Sequence, residues 1–127
     1  MKNDNPLSPH IQIYNWHISS LVSISHRISG VINYLFFIFL SIWVIFSFLL
    51  GQHYDLFYNF YNSFFGKFFV ISIIWSFTFQ ILSEIRHLLW DFGYGFDLKF
   101  SNITGLCVIF GSFIFTCLIY FIGRGII

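Results

Sequence analysis

The stretch SISHRISGVINYLFFIFLSIWVIFSFLL, Ser23–Leu50, contains one formally charged residue, Arg27, and its last twenty positions, Val31–Leu50, contain none. Twenty apolar residues wound as a helix rise about 30 Å, the thickness of the hydrocarbon core of a bilayer. A strand of that length and composition would leave backbone groups unpaired in lipid, whereas a helix pairs them within itself. The run therefore reads as a transmembrane helix that stops at Gly51. It is longer than the core requires, so its first turns are expected to project into the interface.

Working outward from that run, two more follow, at about residues 68–90 and 103–123, with Arg124 just beyond the last. The connection GQHYDLFYNFYNSFFGK, Gly51–Lys67, is rich in Tyr, Phe and Asn and suits an aromatic belt at the membrane surface. The other connection is DFGYGFDLKFSN, Asp91–Asn102. Residues 1–22 are polar and hold both prolines, Pro6 and Pro9, so they start as an extended segment outside the bilayer core. Within them NWHISSLVS, Asn15–Ser23, suits the start of an interfacial helix with Trp16 at headgroup depth.

Composition agrees with that outline. In 127 residues, 57% are hydrophobic and 9% charged, and mean hydropathy is +0.80. A soluble domain carries about 25% charge. The expected fold class is all-α, an integral membrane protein of one domain, residues 1–127, with three transmembrane helices in a bundle. A net charge of +1 leaves no electrostatic footprint for nucleic acid. Cys107 and Cys117 would stand about 15 Å apart on a helix, too far for a disulfide. The N-terminus has neither a secretory h-region nor an Arg-rich transit pattern, so no cleaved leader is expected. With three spans, Lys2, Arg27, Arg86 and Lys99 share one side and Lys67 and Arg124 the other. That bias predicts an N-terminus on the negative, matrix or cytoplasmic, side.

Helical spacing organises the polar residues. Ser72, Ser76, Gln80, Glu84, His87 and Asp91 recur at intervals of four and three along the second span. Ser19, Ser23, Arg27, Gly30 and Tyr34 do the same along the first. Lipid disfavours both faces, so each is expected to point inward, at the other helix or at a partner. Antiparallel packing would bring "SISHR" and "EIRH" to one membrane surface, with His26, Arg27, Glu84, Arg86, His87 and Asp91 around a polar pocket. Ser112, Thr116 and Tyr120 on the third span read as helix packing. Spacing alone leaves three readings of the pocket open: lipid-phosphate anchoring, a ligand site, or a subunit interface. No nucleophile elbow or phosphate loop supports hydrolytic chemistry.

Three motifs in this order, PLSPHIQIY (Pro6–Tyr14), SISHRISG (Ser23–Gly30) and IRHLLWDFG (Ile85–Gly93), resemble the cytochrome b subunit of succinate dehydrogenase, the larger membrane anchor of respiratory complex II. The resemblance covers the whole chain. It implies a mitochondrial or bacterial inner membrane location. The partners it implies are a second small anchor subunit, an iron–sulfur subunit, a flavoprotein subunit and the bilayer itself. It also implies a subunit that is not catalytic alone but helps form the ubiquinone-reduction site. In that reading Ser23 and Arg27 bind the quinone, Ile24 lines its pocket, Trp16 stands nearby, and His26 belongs to the polar surroundings. A structural anchor without its own quinone site, or the anchor of a fumarate reductase, are the alternatives.

The chain departs from the family at the haem. The resemblance implies a histidine ligand for haem iron at the position held here by Gln80, and a Gly or Ala at the position of Glu84. Glutamine is outside the set of haem axial ligands, and a glutamate crowds the porphyrin and adds negative charge beside its propionates. His87, the nearest alternative ligand, lies about 10 Å further along the helix than the usual position. The expectation is a complex that lacks haem b, or that binds it without a ligand from this chain.

Overall fold

A serine and a glycine set a bend within the aromatic connection. Ser63, with φ −68° and ψ 159°, interrupts two helices and caps the second, its Oγ accepting the Gly66 N–H at 3.1 Å. Gly66 is buried because the Phe60 carbonyl at the end of the preceding helix lies directly over it, where any Cβ would collide with backbone. The aromatic connection is thus partly helical. In this computed structural model, which describes residues 15–50 and 54–126, the elements are α1 (Ile18–Leu50), α2 (Tyr54–Asn62), α3 (Phe64–Asp91) and α4 (Leu98–Ile126). The motif PLSPHIQIY, both prolines and Lys2 lie outside the described residues.

α1, α3 and α4 are each long and apolar enough to cross a membrane. All three exceed the expected spans. α1 starts at Ile18 rather than Ser23, α3 at Phe64 rather than Phe68, and α4 runs from Leu98 to Ile126 rather than over 103–123. Hydropathy marks the part of a helix that sits in lipid, while hydrogen bonding carries it on into the interface. At 33 residues α1 is about 50 Å long.

α3 ends in a glycine-dependent cap. Gly93 N–H donates to the Trp90 carbonyl at 2.9 Å and Tyr94 N–H to the Leu89 carbonyl at 3.0 Å, with Gly93 at φ +83°. This is the Schellman arrangement, which a left-handed glycine permits without strain. The turn sends α4 back beside α3.

Packing inverts the pattern of a soluble protein. The buried set is small and polar, Ser29, Asn33, Ser76, Thr78, Ser83, Ser112 and Thr116, while most Phe, Leu and Ile side chains face outward. Lipid solvates hydrocarbon as well as a core does, so close approach of small side chains and interhelical hydrogen bonds hold the bundle. Ser76 Oγ donates to the Ser29 carbonyl at 3.0 Å, and the Thr78 and Thr116 hydroxyls meet at 3.0 Å. Val22, Phe79 and Val108, one from each long helix, form the small apolar centre. α1 is the least covered of the three long helices: 6% of its most apolar stretch is buried, against 22% for α3 and for α4. It presents the largest surface to a partner or to lipid.

Candidate functional site

Chain direction places the start of α1, the end of α3 and the start of α4 at one end of the bundle. Arg27, Arg86 and Lys99 collect there, and Lys67 and Arg124 lie at the other end. The expected polar residues separate into three groups at the first end.

The first group sits on the seam between α1 and α3. His26 Nε2 lies 2.9 Å from Glu84 Oε1 and 2.8 Å from the Gln80 side-chain amide, and Ser29 Oγ reaches the same amide at 2.7 Å. One ring nitrogen serves both neighbours if His26 Nε2–H donates and both accept. That assignment turns the Gln80 amide over from its placement, in which Nε2 faces His26 and Oε1 accepts from Ser29 Oγ, so that its oxygen faces His26 and its NH₂ donates to Ser29 Oγ. The Ser29 hydroxyl donates in turn to the His26 carbonyl at 2.9 Å. His87 joins from one turn beyond, its ring 5.5 Å from that of His26, and its Nδ1–H donates to the Ser83 carbonyl at 3.0 Å. Gly30 leaves the space that Gln80 fills, since a Cβ there would stand 3.9 Å from the amide.

The second group lies on the outside of α1. Ser23, Ile24 and Arg27 are exposed, with Ser23 and Arg27 one turn apart. Trp16 stands just before the helix, 72% exposed. Tyr34 continues the same stripe and is also exposed. Ser23, Arg27 and Tyr34 of the α1 stripe therefore do not face α3, whereas Gly30 does. The inward positions are Val22, His26, Ser29 and Asn33, about a quarter-turn round the helix. His26 stands between the two faces.

The third group is α3 against α4. Arg86, expected in the shared pocket, instead turns into that seam, 4% exposed. Its guanidinium donates to the Ser101 carbonyl and hydroxyl at 3.0 Å each and to Thr104 Oγ1 at 3.2 Å, and it lies 4.3 Å over the Trp90 ring. Asp91 points outward. The six-residue pocket thus reduces to His26, Glu84 and His87, with Gln80 and Ser29 behind them. Spacing had separated Ser29 from the polar stripe, because it pairs with Gln80 across helices and not along its own.

At the far end, a cleft of about 500 Å³ lies between α1, α2 and α3, lined by Phe36, Trp43, Phe57, Phe60, Phe69 and Ile73 among others. Its lining is nearly all hydrocarbon and suits an acyl chain better than a group needing oriented donors.

The succinate dehydrogenase/fumarate reductase transmembrane subunit family model matches residues 1–119. The chain is similar to the succinate dehydrogenase cytochrome b556 subunit of Rickettsia felis, 39% identical over 118 residues that cover 93% of this chain and 92% of the relative. It is similar to the cytochrome b560 subunit of Marchantia polymorpha, 37% identical over 123 residues, 87% of this chain and 84% of the relative. The cytochrome b556 subunit of Paracoccus denitrificans is 23% identical over 124 residues, 95% of each chain.

Proposed function

The chain belongs to the succinate dehydrogenase/fumarate reductase transmembrane subunit family, and from that membership we propose that it supplies part of the ubiquinone-reduction site of a succinate dehydrogenase. As a membrane subunit of that enzyme it works in a bilayer, within complex II. In our reading a second small anchor subunit covers α1, and the iron–sulfur and flavoprotein subunits dock at the end that holds Arg27 and Arg86. That end faces the matrix or the cytoplasm, in a mitochondrial or bacterial inner membrane.

The observation that carries this reading is the pairing of Ser23 and Arg27 on the uncovered face of α1, beside the His26 network. Arg27 lies nine residues into α1, about 14 Å along it. Reduction of a quinone builds negative charge on its carbonyl oxygens. A hydroxyl at Ser23 donates to one of them, and the permanent charge of Arg27 stabilises what develops. Ile24 offers an apolar wall, and Trp16 closes the interface side. The fumarate reductase direction differs in the quinone potential and the soluble subunits, not in these contacts. A purified complex carrying Ser23→Ala tests the assignment. Loss of one neutral hydrogen bond, about 0.5–1.5 kcal/mol, predicts a roughly 2- to 12-fold weaker kcat/KM for quinone. Succinate oxidation by a soluble acceptor should be unchanged. Equal quinone kinetics would remove Ser23 from the site.

The cytochrome names of the relatives imply haem b in those proteins. The residues of this chain do not fit an axial ligand for it. The amide of Gln80 is engaged by Ser29 and His26, and the Glu84 side chain fills the next turn of the same face. We infer that α3 gives haem iron no ligand. The reduced spectrum of the purified complex is expected to lack a b-type α-band, or to keep it in both Gln80→Ala and His87→Ala. A stoichiometric band lost in either variant overturns the inference.

A further inference from the structure

Beside the quinone face, the α1–α3 seam gathers three side chains that all bind metal ions. Glu84 and His87 are one turn apart on α3, the Glu-x-x-His spacing that puts carboxylate and imidazole on one helix face. His26 arrives from α1. One donor atom from each lies within 4.8 Å of the other two, and His26 Nε2 already stands 2.9 Å from Glu84 Oε1. Donors bound to a tetrahedral ion at about 2.0–2.1 Å are roughly 3.3 Å apart. Glu84 is exposed and His87 half-buried, so rotation of the Glu84 side chain would draw the donors together while His87 keeps its contact to Ser83.

The tautomers favour an ion. His87 Nδ1–H is committed to the Ser83 carbonyl, the outer-shell contact that usually fixes a ligating imidazole. In the neutral ring that leaves the lone pair on Nε2. A bare imidazole lone pair beside a carboxylate gains from that neighbour when a cation, a metal ion or a proton, stands between them. The space between His26 Nε2 and Glu84 Oε1, beside His87, is the position such a cation would take.

We propose that His26, Glu84 and His87 bind one divalent transition-metal ion, with Zn²⁺ the best match to two imidazoles and a carboxylate. Calcium and magnesium prefer six or more oxygen ligands, so this set excludes them. The ion takes the place of the His26 Nε2 proton, which moves to Nδ1 of the neutral ring, so binding leaves the proton count unchanged. The fourth coordination position is open to water on the exposed side of Glu84. The site needs neither quinone nor haem, so its failure would leave the quinone assignment standing.

The test uses the purified, chelator-stripped complex and ZnCl₂. Metal analysis after equilibrium dialysis should find one more zinc per complex in the wild type than in Glu84→Gln or His87→Phe. A variant retaining weak binding should show an affinity lowered by more than about 100-fold, beyond what loss of an outer-shell partner costs. His17→Ala, which alters an exposed histidine outside the trio, should bind zinc as the wild type does. Zinc K-edge fine structure of the wild type should report two imidazole neighbours. Equal zinc stoichiometry and affinity in wild type and variants overturns the site. If the variants do not assemble, the wild-type spectrum decides alone: fewer than two imidazoles, or sulfur in the first shell, overturns it.

Discussion

Arg27→Ala is expected to lower succinate-to-ubiquinone electron transfer by about 10²-fold, the scale of losing one charged donor from a site where negative charge develops. Succinate oxidation measured with an artificial soluble acceptor should stay at the wild-type rate. The split follows from position. Arg27 projects from the outside of α1 and makes no ion pair with Glu84, whose carboxylate meets His26 instead. Its removal therefore leaves the α1–α3 seam intact, along with everything α3 and α4 do together. Arg27→Lys keeps the charge but loses the planar fork, so it should recover part of the rate. Equal loss of both activities would assign Arg27 to assembly, and no loss of either would end its role in the quinone site.

Arg86→Leu is expected to act in the opposite way, lowering both activities together by depleting assembled complex. The guanidinium is buried at the α3–α4 seam with three hydrogen bonds to Ser101 and Thr104 and a stack on Trp90. Bonds to a charged donor contribute about 1.5–3 kcal/mol each, and the stack about 0.5–2 kcal/mol. Non-additivity leaves a net loss on the order of 3–5 kcal/mol, enough to unseat a marginally stable bundle. Gly105 sets the geometry, since a Cβ there would lie 2.9 Å from Ile18 and 3.7 Å from the guanidinium. The three long helices thus meet around Arg86, and a leucine cannot bridge to the first turn of α4. Thermal unfolding of the complex in detergent, with subunit recovery from membranes, checks this. Wild-type unfolding and recovery in Arg86→Leu would show that the seam holds without its cation.

The two arginines had looked alike, both close to a histidine at one membrane surface and both assigned to one pocket. Structure separates them into a partner-facing residue and an internal brace. Arg86 could be read as either, because a side chain of that length can follow its own helix face or cross to α4. Its choice depends on Ser101 and Thr104, fifteen and eighteen residues away and beyond the Gly93 turn. Arg27, Arg86 and His26 were all basic neighbours open to Glu84 at that surface, and the structure pairs it with His26.

Much of the architecture was legible in linear form. The uncharged run Val31–Leu50 determined a membrane helix, because length and apolarity are all a bilayer asks of one. Two more such runs determined that the starts of α1 and α4 and the end of α3 share a surface. The residues at positions 80 and 84 declared their departure from the family without any coordinates. What only the tertiary structure decided is the rotation of each helix about its own axis. In water an apolar stripe marks the face that turns inward. In lipid the apolar faces of α1 are solvated as well as a core would solvate them, so no apolar stripe says which side meets α3. That choice fell to close contact between small residues and to hydrogen bonds between helices, with Ser76 on the Ser29 carbonyl and Gln80 against Gly30 and His26. It turned Ser29 and His26 inward and left Ser23 and Arg27 outside.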